Sequence, residues 1–160
     1  MKRKILVVII CIISANLFSK TYKLETVFTD KYTQTYLSHW KVLESTNINK
    51  IDTFSLWGYQ RYFDDWANGA YEVEYYKGNA KETYIFLNQI IEFTQKYKEE
   101  DKILTHISGV MVKTLKELSF RYTLVYNNEN KVVCKFNLKQ LTEIMAKFIF
   151  YCENQKITYK

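Results

Sequence analysis

Along much of the chain, apolar and polar residues alternate one by one, which is the pattern of a strand with one buried face. The alternation predicts strands at residues 22–28, 33–43, 52–57 and 71–76. A further pair at 120–126 and 132–136 is separated by Asn127–Asn130 and therefore predicts a hairpin. In residues 103–112 apolar side chains occur at both odd and even positions, so both faces of the segment are apolar. This favours one strand in the centre of a sheet.

The first two strands predict a half-buried hairpin with one apolar face. Alternation places Tyr22, Leu24 and Phe28 together, and it places Tyr36, Trp40 and Val42 together on the second strand. We therefore expect these side chains to face the core.

Two long helices are predicted from one repeated signal. Asn79 is followed by Glu82, and Asn137 by Gln140; in such a capping box the two residues satisfy backbone N–H groups that a helix start leaves unpaired. The first helix is expected to run to about Lys98. The large apolar residues recur at the same offsets from both asparagines: Phe86, Leu87, Ile90 and Ile91 in one helix, and Ile144, Met145, Phe148 and Ile149 in the other.

A third, short helix is predicted in the aromatic segment. Tyr59, Tyr62, Phe63 and Trp66 are spaced as one helical face. Asn68-Gly69 then supplies residues that tolerate a left-handed helix end.

Together these elements predict an α+β fold. Because each long helix has a single apolar stripe, we expect one antiparallel sheet of about six to seven strands with both helices packed on one face. The matched helix registers are compatible with a tandem β-then-α duplication, but independent convergence on a favourable helix start is the favoured explanation, since capping boxes before amphipathic helices are common. Residues 20–160 are predicted to form a single domain, since no Ser-, Gly- or Pro-rich linker interrupts them.

Residues 1–19 predict an export signal. Lys2, Arg3 and Lys4 precede an apolar run that is shorter than the roughly 20 residues needed to span a bilayer. Cleavage after Ser19 is expected, although Leu17 stands where a small residue is usual, so an uncleaved anchor remains the alternative. The prediction is an exported bacterial protein, either periplasmic or secreted.

Removal of the signal changes the charge balance. The formal net charge is +6, and cleavage would leave 20 basic and 17 acidic residues, or about +3. The remaining lysines are scattered among acidic residues, whereas a nucleic-acid binder concentrates basic residues in a stripe. We therefore expect no nucleic-acid partner, and membrane contact only if the signal is retained.

The mature cysteines and the histidines do not predict a catalytic or metal site. Cys134 and Cys152 are expected about 10 Å apart, too far for a disulfide, so two reduced core cysteines are predicted, with a disulfide as the alternative in an exported protein. His39 and His106 are far apart in sequence. Ser108 is expected about 7 Å from His106 along one strand face, which is too far for the hydrogen bond that would activate a serine nucleophile. No motif predicts a metal or cofactor.

Aromatic residues are densest between positions 54 and 76, where nine of 23 residues are Phe, Trp or Tyr. Trp57 and Tyr76 have the opposite parity to their apolar neighbours, so we expect them to form an exposed platform, with Arg61, Asp64 and Asp65 as its polar rim. The sequence thus favours a non-catalytic binding or interaction module that engages a protein or a glycan. The alternatives are a small hydrolase using carboxylates from residues 64–74, and an inhibitor or immunity-type protein.

Overall fold

A computed structural model describes residues 22–30, 35–42, 53–61 and 70–160. The predicted signal peptide, the predicted strand end at 43 and most of the predicted short helix, residues 62–69, lie outside the described residues. All structural statements below concern the described ranges.

The described chain contains one order of elements twice: four strands followed by a helix. The first set is β1 (Tyr22–Asp30), β2 (Thr35–Val42), β3 (Thr53–Arg61), β4 (Ala70–Asn79) and α1 (Ala80–Lys96). The second set is β5 (Leu104–Ile107), β6 (Val110–Glu117), β7 (Phe120–Tyr126), β8 (Val132–Phe136) and α2 (Leu138–Gln155). The predicted α+β class is therefore confirmed.

The strands form two antiparallel sheets rather than one. The N-terminal sheet has the order β1-β2-β3-β4, and the C-terminal sheet has the order β5-β6-β7-β8. The expectation of a single sheet of six to seven strands was wrong, because alternation identifies strands without identifying which strands pair. The helix after β4 ends the first sheet, and pairing begins again at β5.

Two further element predictions are corrected. Residues 59–61 continue β3, so the short helix does not begin at Tyr59. The strand predicted over 103–112 is a hairpin of β5 and β6, which turns at Ser108 (φ 49°) and Gly109 (φ 83°). Two consecutive positive φ values are what a two-residue hairpin turn with the right-handed strand twist requires, and Ser-Gly was the available signal.

Both predicted capping boxes are confirmed, with all four of their hydrogen bonds present. Asn79 Oδ1 accepts from the Glu82 N–H at 2.9 Å, and Glu82 Oε2 accepts from the Asn79 N–H at 2.8 Å. Asn137 and Gln140 make the same pair of bonds, both at 2.9 Å. The predicted apolar stripes are buried in both helices, except for the partly exposed outer residue of each set, Ile91 and Ile149.

The two repeats interlock through their helices. On the N-terminal sheet, the ring of Phe148 from α2 meets Phe54 of β3 edge-on, with ring centroids 5.1 Å apart. Toward the C-terminal sheet, Thr94 of α1 and Thr123 of β7 place their hydroxyl oxygens 2.7 Å apart. Each helix therefore contacts the sheet of the other repeat, and the helices also contact each other. The first helix also packs on its own sheet, where Phe86 stacks on Tyr76 of β4. Both helices therefore pack against antiparallel sheet as expected, but against two sheets rather than one.

A partly buried chain of polar side chains ties α2 to the N-terminal sheet. The Tyr151 hydroxyl donates to Glu25 Oε2 at 2.8 Å and lies 2.8 Å from His39 Nδ1. Because the hydroxyl has one proton and gives it to the carboxylate, the proton between Tyr151 and His39 belongs to Nδ1. His39 is fully buried and its ring stacks on Phe54, so it is a hydrogen-bonded core residue.

The sheets meet where β3 faces β8. A Cβ built on Gly58 would lie 2.6 Å from the Val133 carbonyl oxygen and would overlap Cys134 Sγ. Cys134 Sγ lies 3.1 Å from the Thr35 hydroxyl, and burial raises the pKa of this thiol to about 12 although that hydrogen bond lowers it. Cys134 and Cys152 are buried and are not joined in a disulfide, as the strand and helix geometry predicted.

Candidate binding surface

One face of the N-terminal sheet carries a group of large aromatic side chains away from α2. Strand register places Tyr36 opposite Trp57, Ser38 opposite Ser55, and Trp40 opposite Thr53. The residues between them on β2 and β3 point to the opposite side, into the core, as Leu37, His39, Phe54 and Leu56. We call the set Tyr36, Trp40, Trp57, Ser38, Ser55 and the β4 residues Glu72, Glu74 and Lys77 the aromatic face.

The two indoles of the aromatic face are held by a central pair of serines. Trp57 Nε1 donates to Ser38 Oγ at 2.9 Å, and Trp40 Nε1 donates to Ser55 Oγ at 3.1 Å. Each bond crosses to the neighbouring strand, so the indoles lean toward each other from opposite ends of the serine pair. Both serines are fully buried, and Ser38 also donates to the Ser55 carbonyl at 3.4 Å.

A tyrosine extends this surface, and β4 supplies its charged edge. The rings of Tyr36 and Trp57 are parallel within 5°, with centroids 5.8 Å apart. The Tyr36 hydroxyl donates to Glu72 Oε2 at 2.6 Å. Lys77 Nζ lies 5.6 Å from the centroid of the Trp40 ring, within cation–π range. The result is a partly exposed aromatic surface with carboxylates and an amine beside it.

Of the predicted platform residues, Trp57 belongs to the aromatic face and Tyr76 does not. Tyr76 is only 7% exposed and its ring stacks on Phe86 with centroids 3.9 Å apart, so its predicted exposure was wrong. The cause is a register shift, because Leu56 pairs with Tyr76 while Trp57 pairs with Glu74. This bulge reverses the parity of β4 at that point and turns Tyr76 toward the core. Burial raises the pKa of Tyr76 to about 12.

The predicted polar rim is replaced by residues further along the chain. Arg61 ends β3, but its side chain lies outside the described residues, as do Asp64 and Asp65. The charged groups that the structure does place beside the indoles are Glu72, Glu74 and Lys77.

Strand β2 contributes two aromatic side chains to this surface that were not predicted to lie there. Tyr36 and Trp40 were expected to face the core, whereas Leu37 and His39 do so and the two aromatic residues are partly exposed. The large size of these aromatic side chains led to the wrong prediction of which face of β2 is buried. The polar Ser38 midway between Tyr36 and Trp40 was the available signal that their side of the strand is not the core.

Among the residues in ranges 22–30, 35–42, 53–61 and 70–160, no group of three His, Cys, Asp or Glu side chains is placed to hold a metal ion. Neither α1 nor α2 is long and apolar enough to cross a membrane.

Comparison with family models, curated proteins and solved structures finds no match for this chain.

Proposed function

We propose that this protein is an exported, non-catalytic binding module that holds a glycan on the aromatic face. The observation that supports the proposal best is the fixing of Trp40 and Trp57 by buried serine hydroxyls. Surface indoles without such bonds lose side-chain freedom when a ligand binds, and that loss weakens affinity. Here the freedom is already lost in the folded protein, so the rings are preorganised for a ligand.

The chemistry of the surface matches a sugar. A pyranose presents apolar C–H groups on its ring faces and hydroxyl groups around its edge. The aromatic rings offer an apolar contact surface, and Glu72, Glu74 and Lys77 offer acceptors and a donor for hydroxyl groups at its side. A few polar groups beside a mostly apolar surface is the usual composition of a small-molecule site.

The test is binding of the purified protein to a glycan array, followed by titration calorimetry with the oligosaccharides that bind. Trp57→Ala and Trp40→Ala should each weaken binding about 30-fold or more, the scale of an aromatic hot-spot residue. Phe150→Ala is the matched control, because it removes an aromatic ring that is 68% exposed on α2, away from the aromatic face. Its affinity should equal that of the wild type.

A second variant tests the contribution of the hydrogen bonds that hold the indoles, separately from that of the rings themselves. Ser38→Ala keeps both indoles but removes the acceptor of Trp57 Nε1, so it should weaken binding less than Trp57→Ala does. Far-UV circular dichroism and urea melts must show each variant folded.

Three results would contradict the proposal. Trp57→Ala and Phe150→Ala could weaken glycan binding equally, or no glycan on the array could bind. The bound oligosaccharide could also be cleaved in a manner that Glu74→Gln abolishes, and the hydrolase alternative would then replace the binding module.

A further inference from the structure

A groove of about 440 Å³ runs between α1 and β5, on the C-terminal sheet and separate from the aromatic face. On the helix side, residues of one face line it: Gln89, Glu92, Phe93, Lys96 and Tyr97. On the strand side, four consecutive residues line it, Thr105 to Ser108. Successive side chains of a strand point to opposite faces, so four in a row indicate that the edge of β5 forms this wall.

That edge carries backbone groups turned away from β6. In the described chain β5 pairs only with β6, and the Thr114 N–H donates to the Ile103 carbonyl at 2.9 Å. Ladder bonds alternate along an antiparallel pair, so Thr105 and Ile107 also bond β6. By the same alternation, the N–H and C=O groups of Leu104 and His106 point to the other side, where the groove lies.

The floor of the groove includes two apolar side-chain edges, and its helical wall carries charged side chains. Phe93 and Ile107 line it and are almost fully buried, so only their edges reach it. Glu92 and Lys96 stand one helical turn apart on α1 and give the wall one charge of each sign. Ser108 Oγ donates to Gln89 Oε1 at 3.4 Å and joins the two walls at one end.

We propose that this groove binds an extended peptide segment of another protein, which lies between α1 and β5 and pairs with β5 as an additional strand. A peptide backbone presents N–H donors and C=O acceptors at the spacing of a strand edge, which is the basis of recognition by strand addition. The four residues of β5 match a peptide of about four to five residues, or about 13 Å.

The walls specify the side chains of that peptide. Alternate residues face the floor and should be apolar, to contact Phe93 and Ile107. At the helical wall, the peptide should place a basic residue near Glu92 and an acidic residue near Lys96. Charge complementarity across such a contact sets the direction in which the peptide lies.

The probe is a phage-displayed library of random 12-residue peptides, panned on the immobilised full protein. Enriched sequences are synthesised with a fluorescent label, and their affinities are measured by polarisation. His106→Pro removes an N–H that points to the groove and takes no bond from β6, a position where an edge strand tolerates proline. It should weaken peptide binding about tenfold or more.

His106→Ala is the matched control, because it removes the same side chain and keeps the N–H. Its affinity should remain within about threefold of the wild type if the backbone makes the contact. Charge reversal by Lys96→Glu should select peptides that carry a basic residue where the wild type selects an acidic one.

A measurement on the peptide covers the case in which His106→Pro fails to fold. Backbone N-methylation of every second peptide residue should abolish binding to the wild-type protein, and methylation of the intervening residues should not. The proposal is overturned if methylation at both sets has the same effect, if His106→Ala and His106→Pro lose affinity equally, or if panning enriches no peptide. It is also overturned if light scattering shows a wild-type dimer that His106→Pro converts to a monomer, because a second copy would then occupy the edge.

Discussion

Gly58→Ala tests how closely the two sheets approach each other. The new Cβ would lie 2.6 Å from the Val133 carbonyl oxygen and would overlap Cys134 Sγ. The oxygen belongs to the backbone of β8, so relief requires a strand to move. The sulfur belongs to a short side chain that is itself buried against Thr35.

The magnitude follows from two opposing effects. Adding a methyl group to a well-packed interior typically costs about 1–3 kcal/mol, and a clash with backbone belongs at the upper end. Replacing glycine by alanine also reduces the entropy of the unfolded chain, which stabilises by about 0.4–1 kcal/mol. We expect Gly58→Ala to lower the free energy of unfolding by about 2 kcal/mol.

Urea denaturation followed by circular dichroism measures this difference from the shift in midpoint at unchanged slope. Cys134→Ala, alone and combined with Gly58→Ala, completes a double-mutant cycle. Removing the sulfur relieves one of the two clashes and leaves the Val133 carbonyl, so the double variant should recover part of the loss. A change below about 0.5 kcal/mol in Gly58→Ala, or full recovery in the double variant, would refute the close approach of β3 and β8.

Three further predictions concern stability and use the same urea assay. Asn79→Ala and Asn137→Ala should each lower the free energy of unfolding by about 1 kcal/mol, and a neutral effect would show that the capping boxes do not stabilise the helices. Leu118 has a φ of 54° and is 92% exposed, so Leu118→Gly should raise stability by about 0.5–1 kcal/mol; a loss would contradict the strain. The pKa values of Cys134 and Tyr76 are raised to about 12 from ordinary values of 9.0 and 10.0, so the folded protein retains protons that the unfolded chain releases. Their stabilisation is complete below about pH 9 and is lost as pH rises toward 12, and Cys134→Ala should make the alkaline loss smaller. Equal alkaline loss in both proteins would contradict the role of the thiol.

Local signals predicted the helix starts well because a capping box is complete within four residues. Asn79 with Glu82 and Asn137 with Gln140 needed no distant partner, and the hairpin turn at Asn127–Asn130 likewise closes on itself, with Asn127 Oδ1 accepting from the N–H groups of Glu129 and Lys131. The same locality explains why the Ser108-Gly109 turn was predictable from its dipeptide. It was overlooked because apolar residues flank it on both sides.

The candidate binding surface could be predicted only in part. Trp57 was identified from its parity, but its fixing depends on Ser38, which lies 19 residues away on another strand. Tyr76 has the same kind of parity signal, and a bulge in its own strand, β4, reverses its orientation. Side-chain alternation has a period of two, so a single inserted residue moves a side chain to the opposite face.

By itself, the sequence determined most of the strands, where the two long helices begin and which stripes of those helices are buried, because these depend on residues within a few positions of one another. Only the tertiary structure decided that the eight strands of the described ranges divide into two sheets, that each helix contacts the other repeat, and which face of β2 is turned to solvent. Those outcomes depend on pairing between distant segments, and aromatic residues on both sides of a strand make either orientation compatible with the local pattern.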